Sequence, residues 1–284
     1  MTDRLAALVE EELALPVDPR ITAMAEAIAE RHGAASRAVL FYGSCLRESQ
    51  LDGLMLDFYL IVSDYRAAYD KKWLARANAL IPPNVFPFQH DGLAAKYAVL
   101  SEADFRRLNG PETRNVSVWA RFAQPARLVW AANGAARSAA IQAVARAAPT
   151  LLAAAGRVDG EQTLDWWRRA FALTYSAELR AERKGRSGSV VDADPERYAR
   201  FGDAAVPAEA ATGGWARRRV EGKALSVLRL AKASATYAGG ADYIVWKINR
   251  HAGTAFELTP WQRRHPLLGA ISLLPRLLRS GAIR

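Results

Sequence analysis

Residues 37–62 read RAVLFYGSCLRESQLDGLMLDFYLIV, and this stretch decides the fold. Its two ends, 37–42 and 54–62, are apolar runs rich in β-forming residues, and turn-forming residues begin between them at Gly43. The runs therefore predict two neighbouring strands. Asp57 lies inside the second run, and a strand of large apolar residues rarely holds a lone carboxylate that is neither paired nor bound to a cation. We expect a ligand at Asp57.

Gly43 and Ser44, directly after the first predicted strand, have the chemistry of a phosphate-binding turn. Glycine lets the backbone approach a phosphate closely, while Ser44 and the following amides, at the expected start of a helix, supply hydrogen-bond donors. Arg47 is near enough along the chain to contact a triphosphate. Mg²⁺ bound to Asp57 would bridge the phosphates and neutralise charge as pyrophosphate departs. The pattern predicts magnesium-dependent nucleotidyl transfer, with a tight turn followed by a capped aspartate as the alternative.

The remaining hydropathy pattern predicts an α+β protein. Helices are expected at 4–32 and 64–80, and further strands at 96–101 and 127–131. From Asn133 onward the sequence becomes alanine-rich with a helical pattern, so we place a domain boundary there. The predicted domains are a nucleotidyltransferase domain with a mixed sheet over 1–133, a mainly helical domain over 134–265, and an amphipathic tail over 266–284.

The charge balance predicts an anionic partner. Lysine and arginine outnumber aspartate and glutamate by 39 to 29, which suits a nucleotide, an acidic lipid or a nucleic acid. A basic, Arg- and Ala-rich composition that only reflects a GC-biased coding sequence is the alternative. The single cysteine, Cys45, excludes an internal disulfide and a multi-cysteine zinc site. No window approaches the ~20 apolar residues of a membrane-spanning helix, so we expect contact with a membrane only at its surface.

Two stretches near the C-terminal end combine basic and apolar residues. Residues 222–253 contain lysines and arginines among aromatic residues, a composition that serves RNA or lipid binding equally. Residues 266–284 place leucines and isoleucines on one helical face with arginines at its edge, as an in-plane interfacial helix does. We expect this tail to contact an anionic membrane surface, and a terminal helix that packs on the core is the alternative.

Four stretches occur in an order and spacing that resembles the mitochondrial-type phosphatidate cytidylyltransferases, the peripheral CDP-diacylglycerol synthases. They are FYGSCLRESQLDGLMLDFYLIVSDY (41–65), AAKYAVLS (94–101), WARFAQPARLVW (119–130) and TYSAELRAE (174–182). The likeness covers residues 36–183. It implies a polymerase-β-type nucleotidyltransferase fold, a mixed sheet followed by a mainly helical domain, with Mg²⁺ as cofactor. The implied reaction converts CTP and phosphatidate to CDP-diacylglycerol and pyrophosphate.

The candidate site residues combine these patterns with the resemblance. Catalytic roles are assigned to Asp57, Ser44, Lys96, Glu178 and Arg180, nucleotide binding to Gly43, Ser44 and Arg47, lipid-phosphate binding to Arg121, Lys247 and Arg250, and metal binding to Asp57 and Glu178. The chain departs from the family pattern with Ala120 for glycine, Gln124 for lysine and Glu178 for aspartate. For each basic residue taken singly, a solvated surface position is the alternative.

Tyr59 stands where polymerase-β-type enzymes usually carry a second acid, two residues after Asp57. A hydroxyl acceptor has to lose a proton as it attacks, whereas a phosphomonoester is already largely dianionic at neutral pH and needs no base. The sequence therefore favours a phosphate acceptor. We expect CTP, phosphatidate and an anionic membrane surface as partners, no nucleic acid, and a cytoplasmic location on the inner face of the cell membrane. The alternatives are nucleotidyl transfer to another small-molecule or protein acceptor, and a catalytically silent basic protein that binds lipid or RNA.

Overall fold

The computed structural model describes residues 3–47, 50–178, 190–205, 214–236, 257 and 259–264. Its centre is a five-stranded sheet in the order β3-β4-β2-β1-β5. The strands are β1 Ser36–Tyr42, β2 Met55–Val62, β3 Asn84–His90, β4 Leu93–Ser101 and β5 Ala126–Ala131. β2 and β4 are parallel, and the other neighbouring strands are antiparallel. The α+β class and the mixed sheet expected from the sequence are confirmed.

Helices surround this sheet. Those of the described part are α1 Asp3–Leu13, α2 Pro19–Glu30, α3 Tyr65–Ala68, α4 Lys72–Leu80, α5 Glu102–Leu108, α6 Trp119–Phe122, α7 Gly134–Ala145, α8 Ala147–Ala155, α9 Thr163–Ala177, α10 Pro195–Ala204, α11 Trp215–Thr236 and α12 Pro260–Arg264. Short 3-10 turns at Gly33–Ala35 and Ser44–Arg47 flank β1. No described helix is long and apolar enough to cross a membrane.

The central strands are apolar on both faces, so both faces of the sheet are covered. On one face, Phe41 and Phe58 pack in a core with Met24 of α2. On the other face, Leu40 and Tyr59 belong to a core that includes α1 and α5 to α10. This second core runs without a break from the sheet into the helices that follow β5. The division into two domains stays a prediction.

The region 4–32, predicted as one helix, forms two helices, α1 and α2. Proline explains the break because it lacks an amide hydrogen and clashes with the preceding helical turn: Pro16 lies in the connection, and Pro19 is the first residue of α2. Asp18 caps α2 by accepting a hydrogen bond from the backbone N of Arg20 at 2.9 Å. Pro19 occupies the first turn of α2, where a missing donor leaves no helical bond unmade.

Two further elements differ from the sequence prediction. Residues 64–80 form α3 and α4 instead of one helix, and β3 was not predicted. The β3 sequence, NVFPFQH, has Pro87 at its centre, which argues against a strand inside a sheet. β3 is an edge strand, where a residue without an amide hydrogen is tolerated.

A buried ion pair joins α1 to α10. Arg197 of α10 pairs with Glu12 of α1, and Arg197 Nη1 donates a hydrogen bond to the Ala123 carbonyl at 3.1 Å. The side chains of Arg197 and Glu12 are only 6% and 13% exposed. One guanidinium therefore holds together the first helix, the end of α6 and α10.

Candidate functional site

Asp57 lies on β2 with a strand on each side of it. Strand register places Asp57 opposite Tyr42 of β1 and opposite Lys96 of β4. Residues directly opposite each other on neighbouring strands point to the same face of a sheet. Tyr42 belongs to the core that the helices α5 to α10 cover. Asp57, the predicted metal ligand, therefore lies on the same helix-covered face of the sheet as Tyr42.

Gly43 directly follows β1 and approaches the Asp57 side chain closely. Its φ is +99°, a conformation that side chains other than glycine rarely adopt. A Cβ at this position would lie 3.3 Å from Asp57 Oδ2. Ser44 follows as an exposed residue that opens the 3-10 turn, so the helix expected there is a single short turn. The structure brings the expected phosphate-binding turn and the expected carboxylate into contact.

Lys96 contacts the other oxygen of the Asp57 carboxylate. Lys96 Nζ lies 2.9 Å from Asp57 Oδ1, and the two side chains are 24% and 22% exposed. The contact is an ion pair that lacks hydrogen-bond geometry, since the buried Oδ1 accepts no hydrogen bond. A partly desolvated pair of this kind fixes the carboxylate in place while Oδ2 faces Gly43.

Arg121, at the end of α6, lies over the ring of Tyr42. Its guanidinium carbon is 4.7 Å from the ring centroid, a cation–π contact. Burial lowers the pKa of Arg121, but interactions with Tyr42, Tyr59 and nearby carboxylates outweigh burial and raise it above its ordinary value. Arg121 is thus a permanent cation next to the residue that pairs with Asp57 in the sheet.

Glu178 follows α9 and comes to the same place from the helical part of the chain. It is half-buried and interacts electrostatically with Arg121 and with Tyr59. Arg121 also interacts with Asp57, so one guanidinium lies within electrostatic range of both predicted metal ligands. The sequence analysis assigned both carboxylates to one metal ion, and in the structure both interact electrostatically with the same guanidinium.

Arg229 of α11 is a site residue that the sequence analysis did not select. Its Nε donates to the Pro82 carbonyl at 2.8 Å, and its Nη1 donates to Ser117 Oγ at 2.7 Å. Nη2 is buried and has no hydrogen-bond partner. Burial lowers the pKa of Arg229, and the charge of Arg121 lowers it further, whereas Glu178 raises it. The one sequence signal for Arg229 was its membership of the basic stretch 222–253.

Lys232, one helical turn after Arg229, donates hydrogen bonds to the connection between α4 and β3, which Arg229 also contacts. Its Nζ donates to the carbonyls of Ile81 and Pro83, the latter at 2.8 Å. Burial, with a smaller contribution from Arg229, lowers the pKa of Lys232 from 10.5 to about 7. Helix α11 is therefore tied to the Ile81–Pro83 segment by the side chains of Arg229 and Lys232.

Three cations in this region face two carboxylates. We call Lys96, Arg121 and Arg229 the basic cluster, and the acids beside it are Asp57 and Glu178. A surplus of positive charge in a partly desolvated site attracts anions more strongly than the same charges do in water. The cluster is suited to phosphate groups.

The carboxylates also fit Mg²⁺. No group of three or more histidine, cysteine, aspartate or glutamate side chains that could hold a metal occurs among the described residues. Mg²⁺ needs no such group, because it usually keeps several waters and binds one or two carboxylates together with substrate phosphates. Asp57, whose Oδ2 lies beside the glycine turn, is the residue that would hold the ion, with Glu178 as the second candidate ligand.

An exposed apolar surface adjoins the basic cluster. Trp73 and Leu80 of α4 are 47% and 80% exposed, and Lys72 and Arg76 lie beside them on the exposed side of the helix. We call these four residues the α4 surface. The helix ends at Leu80, directly before the Ile81–Pro83 segment that accepts hydrogen bonds from α11.

Several predicted residues lie outside the described part of the chain. These are Arg180, Lys247, Arg250 and the tail 266–284, and the side chain of Arg47 is likewise not described. Comparison with known proteins gives no match, either to a protein-family model or to a curated protein sequence. The resemblance to phosphatidate cytidylyltransferases therefore rests on the four stretches quoted above and is a hypothesis.

Proposed function

We propose that this protein is a magnesium-dependent nucleotidyltransferase that transfers the cytidylyl group of CTP to the phosphate of phosphatidate at a membrane surface. One observation carries the proposal. Gly43, in a conformation that favours glycine, lies against the Asp57 carboxylate beside the basic cluster. This contact puts a ligand for a divalent cation next to a turn that a phosphate can approach.

In the proposed reaction, a phosphate oxygen of phosphatidate attacks the α-phosphorus of CTP. The bond from the α-phosphorus to the bridging oxygen breaks, and pyrophosphate leaves. Bound Mg²⁺ supplies charge neutralisation on the triphosphate. Gly43 and Ser44 bind the triphosphate through backbone and hydroxyl donors, while Lys96 orients the Asp57 carboxylate. Arg121 stabilises the charge of the incoming phosphate because its guanidinium stays protonated at all relevant pH values.

The side chain at position 59 indicates which kind of acceptor group the site can use. Burial raises the pKa of Tyr59, so this side chain stays protonated and does not act as a base at neutral pH. A phosphomonoester needs no base because its second pKa is about 6. The groups beside Asp57 therefore suit a phosphate acceptor better than a hydroxyl acceptor.

The α4 surface supports a reaction at a membrane. Tryptophan and leucine enter the headgroup boundary of a bilayer, and lysine and arginine attract anionic lipid. Both kinds of side chain are exposed on α4, next to the segment that contacts the basic cluster. The polymerase-β-type fold is part of the same proposal, and it is supported by the sequence of β1, glycine turn and carboxylate-bearing β2.

The proposal is tested by incubating the purified protein with each labelled nucleoside triphosphate, Mg²⁺ and phosphatidate vesicles. We expect a labelled lipid product with CTP and release of pyrophosphate in equal amount. Binding of CTP without any labelled product, on phosphatidate or on soluble acceptors, would contradict an enzymatic role. A labelled product on a hydroxyl acceptor alone would keep the reaction class and reject the lipid.

Asp57→Asn should reduce the transfer at least roughly a hundredfold, because the amide is nearly isosteric but binds Mg²⁺ poorly. The matched control is Asp52→Asn, which neutralises an exposed aspartate in the connection between β1 and β2, 3.6 Å from Arg20. Initial rates and thermal unfolding of both variants are to be compared. Near-normal turnover of a folded Asp57→Asn protein would remove Asp57 from the metal site.

A further inference from the structure

We propose that Arg121 and Arg229 form a second anion subsite, separate from the Gly43–Asp57 turn, that binds a phosphomonoester dianion. That this dianion is the phosphate of the acceptor rests on the proposed function. The subsite itself rests on the contacts that hold each guanidinium group and on the donors that these contacts leave unused.

Arg229 is held in position by hydrogen bonds and still has one nitrogen without a hydrogen-bond partner. Ser117 Oγ and the Pro82 carbonyl accept hydrogen bonds from two of its nitrogens. Ser117 in turn donates to Asn115 Oδ1, so the hydroxyl is engaged and acts on Arg229 as a positioning group. The remaining nitrogen, Nη2, is buried without a partner. A buried donor without an acceptor is costly, and an oxygen from a bound anion would satisfy it.

Arg121 supplies the second guanidinium. The Tyr42 ring lies against it at 4.7 Å, and its guanidinium makes no hydrogen bond or ion pair with a described residue. A guanidinium that is held by an aromatic face keeps its planar set of N–H donors for a phosphate. Arg121 and Arg229 therefore both present donors that the described protein does not use.

Arg121 and Arg229 repel each other electrostatically, and Ser117, which accepts a hydrogen bond from Arg229, precedes Arg121 by four residues. The charge of Arg121 acts on Arg229, and Glu178 and Tyr59 interact with both. Glu178 carries one negative charge against two positive charges. A dianion between the two arginines would remove this repulsion, and a phosphomonoester at neutral pH carries close to two negative charges.

The position of the subsite favours the acceptor over the nucleotide. Arg229 donates to Pro82, two residues beyond the α4 surface, whereas the glycine turn lies on the strand side at Gly43. Arg121 contacts Tyr42, the residue that directly precedes Gly43, and so lies between the two places.

The first experiment measures binding without any reaction. Inorganic phosphate and glycerol 3-phosphate are titrated into the full-length protein by calorimetry, without nucleotide or metal. We expect Arg229→Met to weaken phosphate binding by roughly tenfold or more, the loss of a charge-assisted hydrogen bond. Arg219→Ala, which removes an exposed arginine of the same helix, should leave the affinity within about twofold. Equal affinities of wild type and Arg229→Met would overturn the subsite.

A second arm distinguishes a lipid headgroup from a free phosphate. The protein is sedimented with vesicles that contain phosphatidate or, at the same total charge, phosphatidylglycerol, which lacks a phosphomonoester. We expect Arg229→Met to lose the preference for phosphatidate and to keep its binding to phosphatidylglycerol. A preference for phosphatidate that survives the substitution would overturn a role for Arg229 in recognising the lipid phosphate.

Kinetics separate this inference from the proposed function. Arg229→Met should raise the KM for phosphatidate about tenfold or more and leave the KM for CTP within about twofold. If wild-type protein binds phosphate through Arg229 but transfers no nucleotide, the subsite stands and the proposed function fails. If Arg229→Met does not fold, Arg229→Lys and Arg121→Lys serve instead, since lysine keeps the charge but loses the planar donors. Unchanged phosphate affinity in both would overturn the proposal.

Discussion

Gly43 shows how the absence of one Cβ can keep a carboxylate in position. Alanine there would adopt a φ of +99° and place its Cβ 3.3 Å from Asp57 Oδ2. We expect Gly43→Ala to lower the free energy of unfolding by about 1–2 kcal/mol and to reduce nucleotidyl transfer. Gly53→Ala is the matched control, because Gly53 also has a positive φ, +75°, but its Cβ would meet no atom within 4 Å.

Urea unfolding and initial rates separate the two glycine variants. Both variants should lose stability because the backbone is strained. Only Gly43→Ala should lose more activity than its loss of stability explains. If the two variants lose equal activity, the contact between Gly43 and Asp57 has no functional importance.

Lys232 gives the protein a pH dependence of stability with a defined sign. Its pKa is 10.5 in the unfolded chain and about 7 in the folded state, so the unfolded chain binds more protons between these values. Stability therefore rises with pH across this window. We expect the difference in the free energy of unfolding between wild type and Lys232→Met to grow in favour of wild type from about pH 7 to about pH 9.5.

The measurement is urea unfolding of both proteins at several pH values. Because other titrating groups are common to both, their contributions cancel in the difference. A difference that stays constant across the window would show that Lys232 titrates at its ordinary pKa.

The sequence is sufficient to predict the part of the site around Gly43 and Asp57, and it is not sufficient to predict the role of Arg229. Gly43 directly follows β1 and Asp57 lies on β2, the next strand along the chain, so their residue types and their order were enough to predict that they meet. Arg229 contacts groups that lie 147 and 112 residues away. Its role depends on how α11 packs, which hydropathy patterns do not specify because many exposed arginines have similar surroundings in sequence.

Helix α4 is the described element that we expect to meet the bilayer. The double variant Trp73→Ser, Leu80→Ser removes its two exposed apolar side chains and should lower the vesicle partition coefficient at least about tenfold, since each side chain contributes about 1.5–3 kcal/mol when fully buried. The control is Leu15→Ser, Val158→Ser, because these side chains are 46% and 57% exposed elsewhere on the protein. Sedimentation with anionic vesicles measures both variants.

Equal sedimentation of the two double variants would exclude α4 from membrane contact. Vesicle binding would then be expected from the tail 266–284, which lies outside the described residues and can be tested by deleting it. Residual binding of the α4 variant that falls with added salt would indicate that basic residues share the contact.

The predicted elements agree with the structure where one physical rule dominates. Strands β1, β2, β4 and β5 were expected because apolar residues, many of them β-formers, dominate each of them. The predictions failed at proline. Pro16 and Pro19 divide a periodic helical pattern that we had extended across them, and Pro87 concealed an edge strand. Whether a strand lies at an edge is a property of the assembled sheet, so its tolerance of proline is not visible in sequence.

At the scale of the whole molecule, the ion pair between Glu12 and Arg197 should contribute strongly to stability. Glu12→Ala leaves a nearly buried guanidinium without its partner and should cost about 3–5 kcal/mol. Glu11→Ala is the matched control, because Glu11 pairs with Arg200 at 3.1 Å with side chains 65% and 57% exposed, and should cost less than about 1 kcal/mol. Urea unfolding measures both, and similar losses would mean that the Glu12 pair is solvated.

The same ion pair affects how the protein can fold while it is synthesised. Glu12 and Arg197 are 185 residues apart along the chain. A ribosome that adds roughly 5–20 residues per second delivers the arginine about 10 to 40 seconds after the glutamate. Until then, the glutamate cannot form this ion pair. Helix α1 therefore cannot complete its contacts until residue 197 has been synthesised, so the final packing of this helix lags well behind its own synthesis.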